Sequence, residues 1–195
     1  IMQYAIEIKN LCKQYPKFAL QSVSFTLPMG YIMGFIGENG AGKTTVMKSM
    51  LHLVRPGSGM VLLLGQDATQ ENAALKQQIG GVLETANFPQ SFTTQDVHQM
   101  LKRVYSNWDG ALYQQYLEQF HLPEKKKFKE FSMGMKKKLA VAAALAHHPK
   151  LLILDEVTAG LDPMVREEIL DVFRDFVSDG EHSILISSHI ISDLE

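Results

Sequence analysis

The sequence predicts an α/β fold, with a parallel-sheet core, an N-terminal antiparallel β subdomain and an inserted helical subdomain. Three observations carry this expectation. The glycine-rich stretch Gly37-Glu38-Asn39-Gly40-Ala41-Gly42-Lys43-Thr44-Thr45 follows the apolar run Tyr31–Ile36 and leads into helical spacing at Val46, Met47, Met50 and Leu51. That is a strand, a loop and a helix in succession. Near the other end, Leu151–Leu154 and Ser183–Ser187 have the texture of buried parallel strands, and the amphipathic Met164–Val177 lies between them. From Thr85 to His148, continuous apolar strands are absent and helical periodicity takes over.

Taken in order, Tyr4–Lys9 and Ser22–Leu27 alternate apolar and polar residues, as half-buried antiparallel strands do. Lys13–Pro16 is expected to be a turn carrying an aromatic ring, and Pro28–Gly30 a second turn before the loop strand. The helix Gly42–Leu53 should end before the breaker cluster Arg55-Pro56-Gly57-Ser58-Gly59. Met60–Leu64 reads as a short buried strand, Asp67–Gln78 as helix-compatible, and Ile79–Leu83 as a strand ending at Glu84. Phe88, Pro89 and Phe92 fall in a loop. Gln95–Tyr105, Asp109–Phe120 and Ser132–His147 read as helices, and Trp108 as packing among them. One domain of 1–195 is therefore expected, with 1–84 and 149–195 forming the core and β subdomain and 85–148 the helical subdomain.

The loop is built for a phosphate. Its glycines remove side chains that would stop the backbone wrapping an anion, and they permit positive φ, so that successive N–H groups converge. The helix beginning near Gly42 aims its positive end at the same point. Lys43 supplies a point charge for β- and γ-phosphates, and the Thr44 hydroxyl is placed for the shell of Mg²⁺. A second signal is Leu151-Leu152-Ile153-Leu154-Asp155-Glu156, a buried strand delivering two carboxylates to its C-terminal edge. Asp155 would act on Mg²⁺, and Glu156 would orient or deprotonate an attacking water. Alone, a strand ending in Asp-Glu can equally be entering a polar loop.

Composition narrows the function further. At 195 residues and 46% hydrophobic, the chain can bury one sizeable core. A net charge of -2 offers no electrostatic footprint for nucleic acid. Cys12 is the only cysteine, which excludes an internal disulfide and suits a reducing compartment. Apolar runs such as Met60–Leu64 and Leu139–Ala146 fall short of the about 18 residues that cross a bilayer. No targeting signal is expected, and Ile1 ahead of Met2 reads as a remnant outside the natural start. Lys125–Lys129 and Lys136–Lys138 read as solvated faces rather than lipid contacts. His147 and His148 stand apart from any cysteine or acid pair and suggest no metal site.

With these motifs in hand, the sequence resembles the ATP-binding cassette family over essentially its whole length. Gly37–Thr44 matches the family's Walker A motif, and Leu151–Asp155 with Glu156 matches Walker B plus the catalytic glutamate. Phe131-Ser132-Met133-Gly134-Met135 stands where the family has its signature, Ala159-Gly160-Leu161-Asp162 matches the D-loop, and His189 after Ser187-Ser188 matches the switch histidine. Tyr15 lies where the family stacks an aromatic on adenine, and Glu84 ends the strand that carries the Q-loop. The resemblance implies a phosphate-loop NTPase (RecA-like) core that binds ATP through Tyr15, Gly37, Glu38, Asn39, Gly40, Ala41, Gly42, Lys43, Thr44, Thr45, Ser132, Gly134 and Asp162. It also implies Mg²⁺ at Thr44, Glu84 and Asp155, with Glu156 and His189 catalytic.

There are departures from the family pattern. Glu84 replaces a glutamine, Met133 and Met135 replace Gly and Gln in the signature, and Val157 stands where a proline usually follows the glutamate. The first two changes are similar to the bacterial drug and ABC-2-type exporter branch. The family also continues beyond the point where this chain stops, so a further tail is expected.

What the resemblance implies for function is an ATP-hydrolysing subunit that powers export through a separate membrane-spanning permease, docked by the helical subdomain and especially by Thr85–Thr94. A second cassette would complete the ATP site head to tail with its Ser132 and Gly134. The expected location is cytoplasmic, peripheral at the inner face of the cell membrane. The alternative is a soluble non-transport cassette ATPase, which would normally carry two cassettes or a long coiled coil. A phosphate-loop kinase would need neither the signature nor His189. Three residues also admit plainer roles: Tyr15 as a turn aromatic, Ser132 as a helix N-cap, and His189 as a surface histidine.

Overall fold

A computed structural model describes residues 3–83 and 88–188. The chain opens with a long hairpin, β1 (Tyr4–Tyr15) and β2 (Phe18–Pro28), whose antiparallel register pairs Ile6 with Leu27 and Tyr15 with Phe18. The alternation seen at Tyr4–Lys9 and Ser22–Leu27 therefore covers only part of each strand. The segment Lys13–Pro16, expected as a turn, is mostly strand: register shifts at Ile8/Leu11 and Leu11/Lys13 carry the pairing on to Tyr15. Bulges let a strand change which face it presents, which hides it from a strict period of two.

β3 (Ile32–Ile36) follows, then α1 (Lys43–Met50), β4 (Ser58–Leu63) and the short β5 (Gln66–Asp67). β4 pairs antiparallel with β1, giving a sheet of order β2-β1-β4-β5. Helix in the stretch Asp67–Gln78 is confined to the single turn α2 (Ala73–Lys76), capped by Asn72. Asp67 ends β5 instead, where its carboxylate accepts from Thr69. A short polar side chain that bonds the backbone ahead of it favours a turn over a helix.

β6 (Ile79–Val82), β7 (Leu151–Asp155) and β8 (Ser183–Ser188) join β3 in a parallel sheet of order β3-β8-β7-β6. Both faces of its central strands are covered. Ile79, Leu151, Ile153 and Leu185 pack toward α1 and the antiparallel sheet. Their neighbours Val82, Leu152, Leu154, Ile184 and Ile186 pack toward the helices. Those helices are α3 (Thr94–Val104), α4 (Gly110–Gln119), α5 (Met133–Leu145) and α6 (Pro163–Val177). Burial on both faces is why β7 and β8 read as uninterrupted apolar runs. β3, on the sheet edge, alternates instead, with Ile32 and Ile36 exposed.

Trp108 packs on the helical side, where its Nε1 donates to His98 Nδ1 at 3.2 Å. The lysine run at 136–138 departs from the expected solvated face: Lys137 and Lys138 are buried. Lys138 pairs with Glu168 of α6, and Lys137 reaches carbonyls in the turn after β7. Their long apolar stems cross the packed side of α5 and leave only the ammonium to be satisfied.

Candidate functional site

In a parallel sheet all C-terminal strand ends lie along one edge, and the site is assembled there. β3 leads into the loop 37–42, β7 ends at Asp155, and β8 carries Ser187 in register with Asp155. Two of the loop glycines have positive φ, Gly40 at 83° and Gly42 at 103°. At Gly42 a side chain is excluded twice over, because a Cβ there would also sit 2.8 Å from Phe18 Cζ and 3.0 Å from Leu20 Cδ1.

Gly42 is the N-cap of α1 and offers no side-chain acceptor. The other described α-helices each begin with a capping side chain, from Asn72, Thr93, Asp109, Ser132 and Asp162. The first N–H groups of α1 are thus directed at the loop rather than at a cap, which is the arrangement of an anion site. Lys43, only 7% exposed, holds its ammonium inside the loop by donating to the Gly37 carbonyl at 2.5 Å and the Glu38 carbonyl at 3.0 Å.

Thr44 Oγ1 donates to Asp155 Oδ2 at 2.6 Å, and Ser187 Oγ donates to Asp155 Oδ1 at 2.5 Å. Asp155 is 1% exposed, so these two hydroxyls satisfy a carboxylate that burial would otherwise penalise. The next residue, Glu156, has φ 49° and donates its N–H to the same Ser187 Oγ at 3.0 Å. Together with Phe18, Asn39, Gly40, Gly42, Lys43, Thr44, Thr45 and Asp155, it lines a cavity of about 340 Å³. The Asp155 carboxylate and the Thr44 hydroxyl at the cavity are hard oxygen donors, and they fit Mg²⁺ as part of a shell that phosphate oxygens and water complete. No group of three or more His, Cys, Asp or Glu among the described residues could cage a metal alone.

A family model described as ABC transporter matches residues 20–159. The chain belongs to the ABC transporter family. It is 37% identical to the bacitracin transport ATP-binding protein BcrA of Enterococcus faecalis, across 100% of this chain and 64% of that protein. It is also 34% identical to the lantibiotic transport ATP-binding protein SrtF of Streptococcus pyogenes, across 97% of this chain and 82% of the relative. Several of its curated relatives are therefore longer, and the chain spans about 64% of their length. Among solved structures, one titled as the ATP binding subunit of an ABC transporter superposes with a TM-score of 0.82 at 27% identity. The match covers 96% of this chain and 80% of that one.

Ser132 and Gly134 are at the start of α5 and are not among the residues that line the cavity. Ser132 is exposed and its Oγ accepts from Met135 N–H at 3.2 Å, so the plainer N-cap role is real. Gly134 faces α6, where a Cβ would come 3.3 Å from Val165 Cγ1, a tight contact that glycine avoids. Asp162 caps α6 through Met164 and Val165 N–H, each at 3.1 Å. Val157, in place of proline, is fully buried on the helical side.

Tyr15 is half-buried beside Phe18, with ring centroids 6.3 Å apart, while Phe18 is the aromatic on the cavity wall. Glu84 and His189 lie outside the described residues. Sequence reasoning assigned no site role to Phe18, Ser187 or Lys137. Phe18 was legible only once the hairpin register set it opposite Tyr15, and Ser187 only once pairing set it beside Asp155.

Proposed function

We propose that the chain hydrolyses ATP and couples that hydrolysis to export through a separate membrane-spanning subunit. One observation carries the reading: the Thr44–Asp155 hydrogen bond, spanning 111 positions of sequence, closes a triphosphate-sized cavity onto the uncapped start of α1. The loop N–H groups and Lys43 would hold the β- and γ-phosphates, and Phe18 with Tyr15 would flank the adenine. Mg²⁺ held by Thr44, Asp155 and Glu84 would neutralise charge on the phosphoryl oxygens. The Glu156 carboxylate orients the attacking water and accepts its proton as the γ-phosphoryl group passes to it, with His189 at the γ-phosphate.

Ser132, Gly134 and Asp162 do not line this cavity, and in this reading they act on the nucleotide of a second cassette in a head-to-tail dimer. Relatives named for bacitracin and lantibiotic transport support the drug-exporter branch. Among the described residues no helix is long and apolar enough to cross a membrane, and in this reading the permease is another polypeptide. Two adjoining apolar cavities, about 250 and 330 Å³, share Leu51, Leu53, Gly81 and Tyr105. With Leu53 64% exposed at their rim and Phe88 on the wall, this groove suits an apolar permease segment. Such docking would keep the ATPase cytoplasmic, at the inner face of the cell membrane.

Glu156→Gln tests the reading. The amide keeps the shape but lacks the charge that takes a proton, so turnover should fall on the order of a hundredfold or more while ATP affinity holds. Stalled ATP should then hold two cassettes together on size-exclusion chromatography with Mg²⁺. Near-normal phosphate release would refute the role of Glu156, and a monomer without turnover would refute the sandwich alone.

A further inference from the structure

We propose that Lys137 is a positioning residue for Glu156, tying the turn that carries the catalytic carboxylate to the helix that carries the signature. This rests on the reading of Glu156 given above. Lys137 is 6% exposed, and its ammonium donates to the Glu156 carbonyl at 2.9 Å and to the Ala159 carbonyl. Ala159 N–H in turn donates to the Glu156 carbonyl at 3.1 Å, closing the turn 156–159.

Glu156 needs this support because φ 49° is left-handed backbone, which a residue with a side chain adopts at a cost unless its surroundings impose it. Its peptide groups are clamped at both ends: the N–H by Ser187 Oγ at 3.0 Å, the C=O by Lys137. Those two anchors hold the peptide groups on either side of the Cα from which the carboxylate leaves. A charged donor on two carbonyls in a buried place is stronger than a neutral one, and its loss takes a partner from each oxygen, the Glu156 carbonyl keeping the Ala159 N–H. Because α5 also begins at Ser132, a shift of that helix on a partner's nucleotide moves the Lys137 anchor, and with it the Glu156 carbonyl.

The plainer role is that Lys137 merely fills space and stabilises the turn. Lys137→Met retains most of the apolar stem and removes the ammonium, so the two roles separate. Positioning predicts that kcat falls at least tenfold while KM for ATP and binding of a non-hydrolysable ATP analogue change less than twofold. Lys137→Arg, which keeps a charged donor, should recover part of kcat. In a Glu156→Gln background, Lys137→Met should cost no further turnover, since the group it positions is already disabled.

An unchanged kcat in Lys137→Met overturns the proposal. So does a loss that tracks the folded fraction measured by thermal melting, or one that multiplies with Glu156→Gln. If Lys137→Met does not fold, Lys137→Gln, with its shorter neutral donor, is measured in the same way against the same criteria. Normal turnover in Glu156→Gln alone would instead remove the functional reading beneath the proposal, and that outcome is distinct from the others.

Discussion

The phosphate loop and the start of α5 are both glycine-containing approaches to a helix N-terminus, yet they are finished differently. At the loop, α1 has no side-chain cap, its lysine is buried, and Thr44 and Ser187 both donate to Asp155, at 2.6 and 2.5 Å. At α5 the N-cap Ser132 satisfies Met135 N–H, and both Ser132 and Met133, the latter 53% exposed, lie at the surface. The first site is completed by strand ends of its own chain. The second is satisfied within its own helix, by the Ser132 side chain. One fold thus carries an uncapped helix start at a phosphate-shaped loop and a capped one at α5.

The largest effect expected from breaking this contrast is at Lys43. Lys43→Ala removes a charge-assisted contact of about 1.5–3 kcal/mol from the triphosphate, so ATP should bind about tenfold to a hundredfold more weakly. Nucleotide titration measures it, and unchanged affinity would mean that the loop does not use its lysine.

Ser132→Ala should act on the other side of the comparison. Loss of the N-cap costs about 1 kcal/mol of stability, and ATP affinity of the isolated chain should not move. If a second cassette uses the hydroxyl, phosphate release at saturating ATP falls by more than the melting shift explains. A change in monomer ATP affinity would show that the two regions are not separate.

The smallest effect concerns the far end of α5, where His147 is fully buried, its Nε2 lies 3.1 Å from the Ile79 carbonyl, and its ring stacks on Tyr105 at 3.8 Å. Burial holds its pKa below the ordinary 6.5, outweighing the Ile79 and Ala143 carbonyls that pull it upward. Below about pH 6.5 the unfolded chain therefore takes a proton that the fold refuses, and stability falls until the lower, folded pKa is passed. His147→Phe should flatten that part of the melting-temperature curve, with ATP affinity at neutral pH retained. A curve that keeps its slope would place the titration elsewhere.

Much of the loop site was legible in the sequence because its requirements are local. Positive φ at Gly40 and Gly42, a lysine and a hydroxyl next to them, and an apolar run ending in Asp155 and Glu156 are each set by neighbours in the chain. The long hairpin was only half legible, since register shifts break the period of two that marks a strand. The burial of Lys137 and Lys138 was misread for a related reason. A lysine run looks solvated until two carbonyls and Glu168 are known to lie beside it.

What the sequence determined by itself, then, was the order of elements, the phosphate loop and the two acids, all governed by backbone conformation and short-range polarity. Tertiary structure alone decided that Ser187 shares Asp155 with Thr44 and that Phe18, rather than Tyr15, walls the cavity. It also decided that Lys137 clamps the carbonyl of Glu156. These contacts join residues far apart in the chain, and their partners are chosen by strand register and helix packing, which no local spacing encodes.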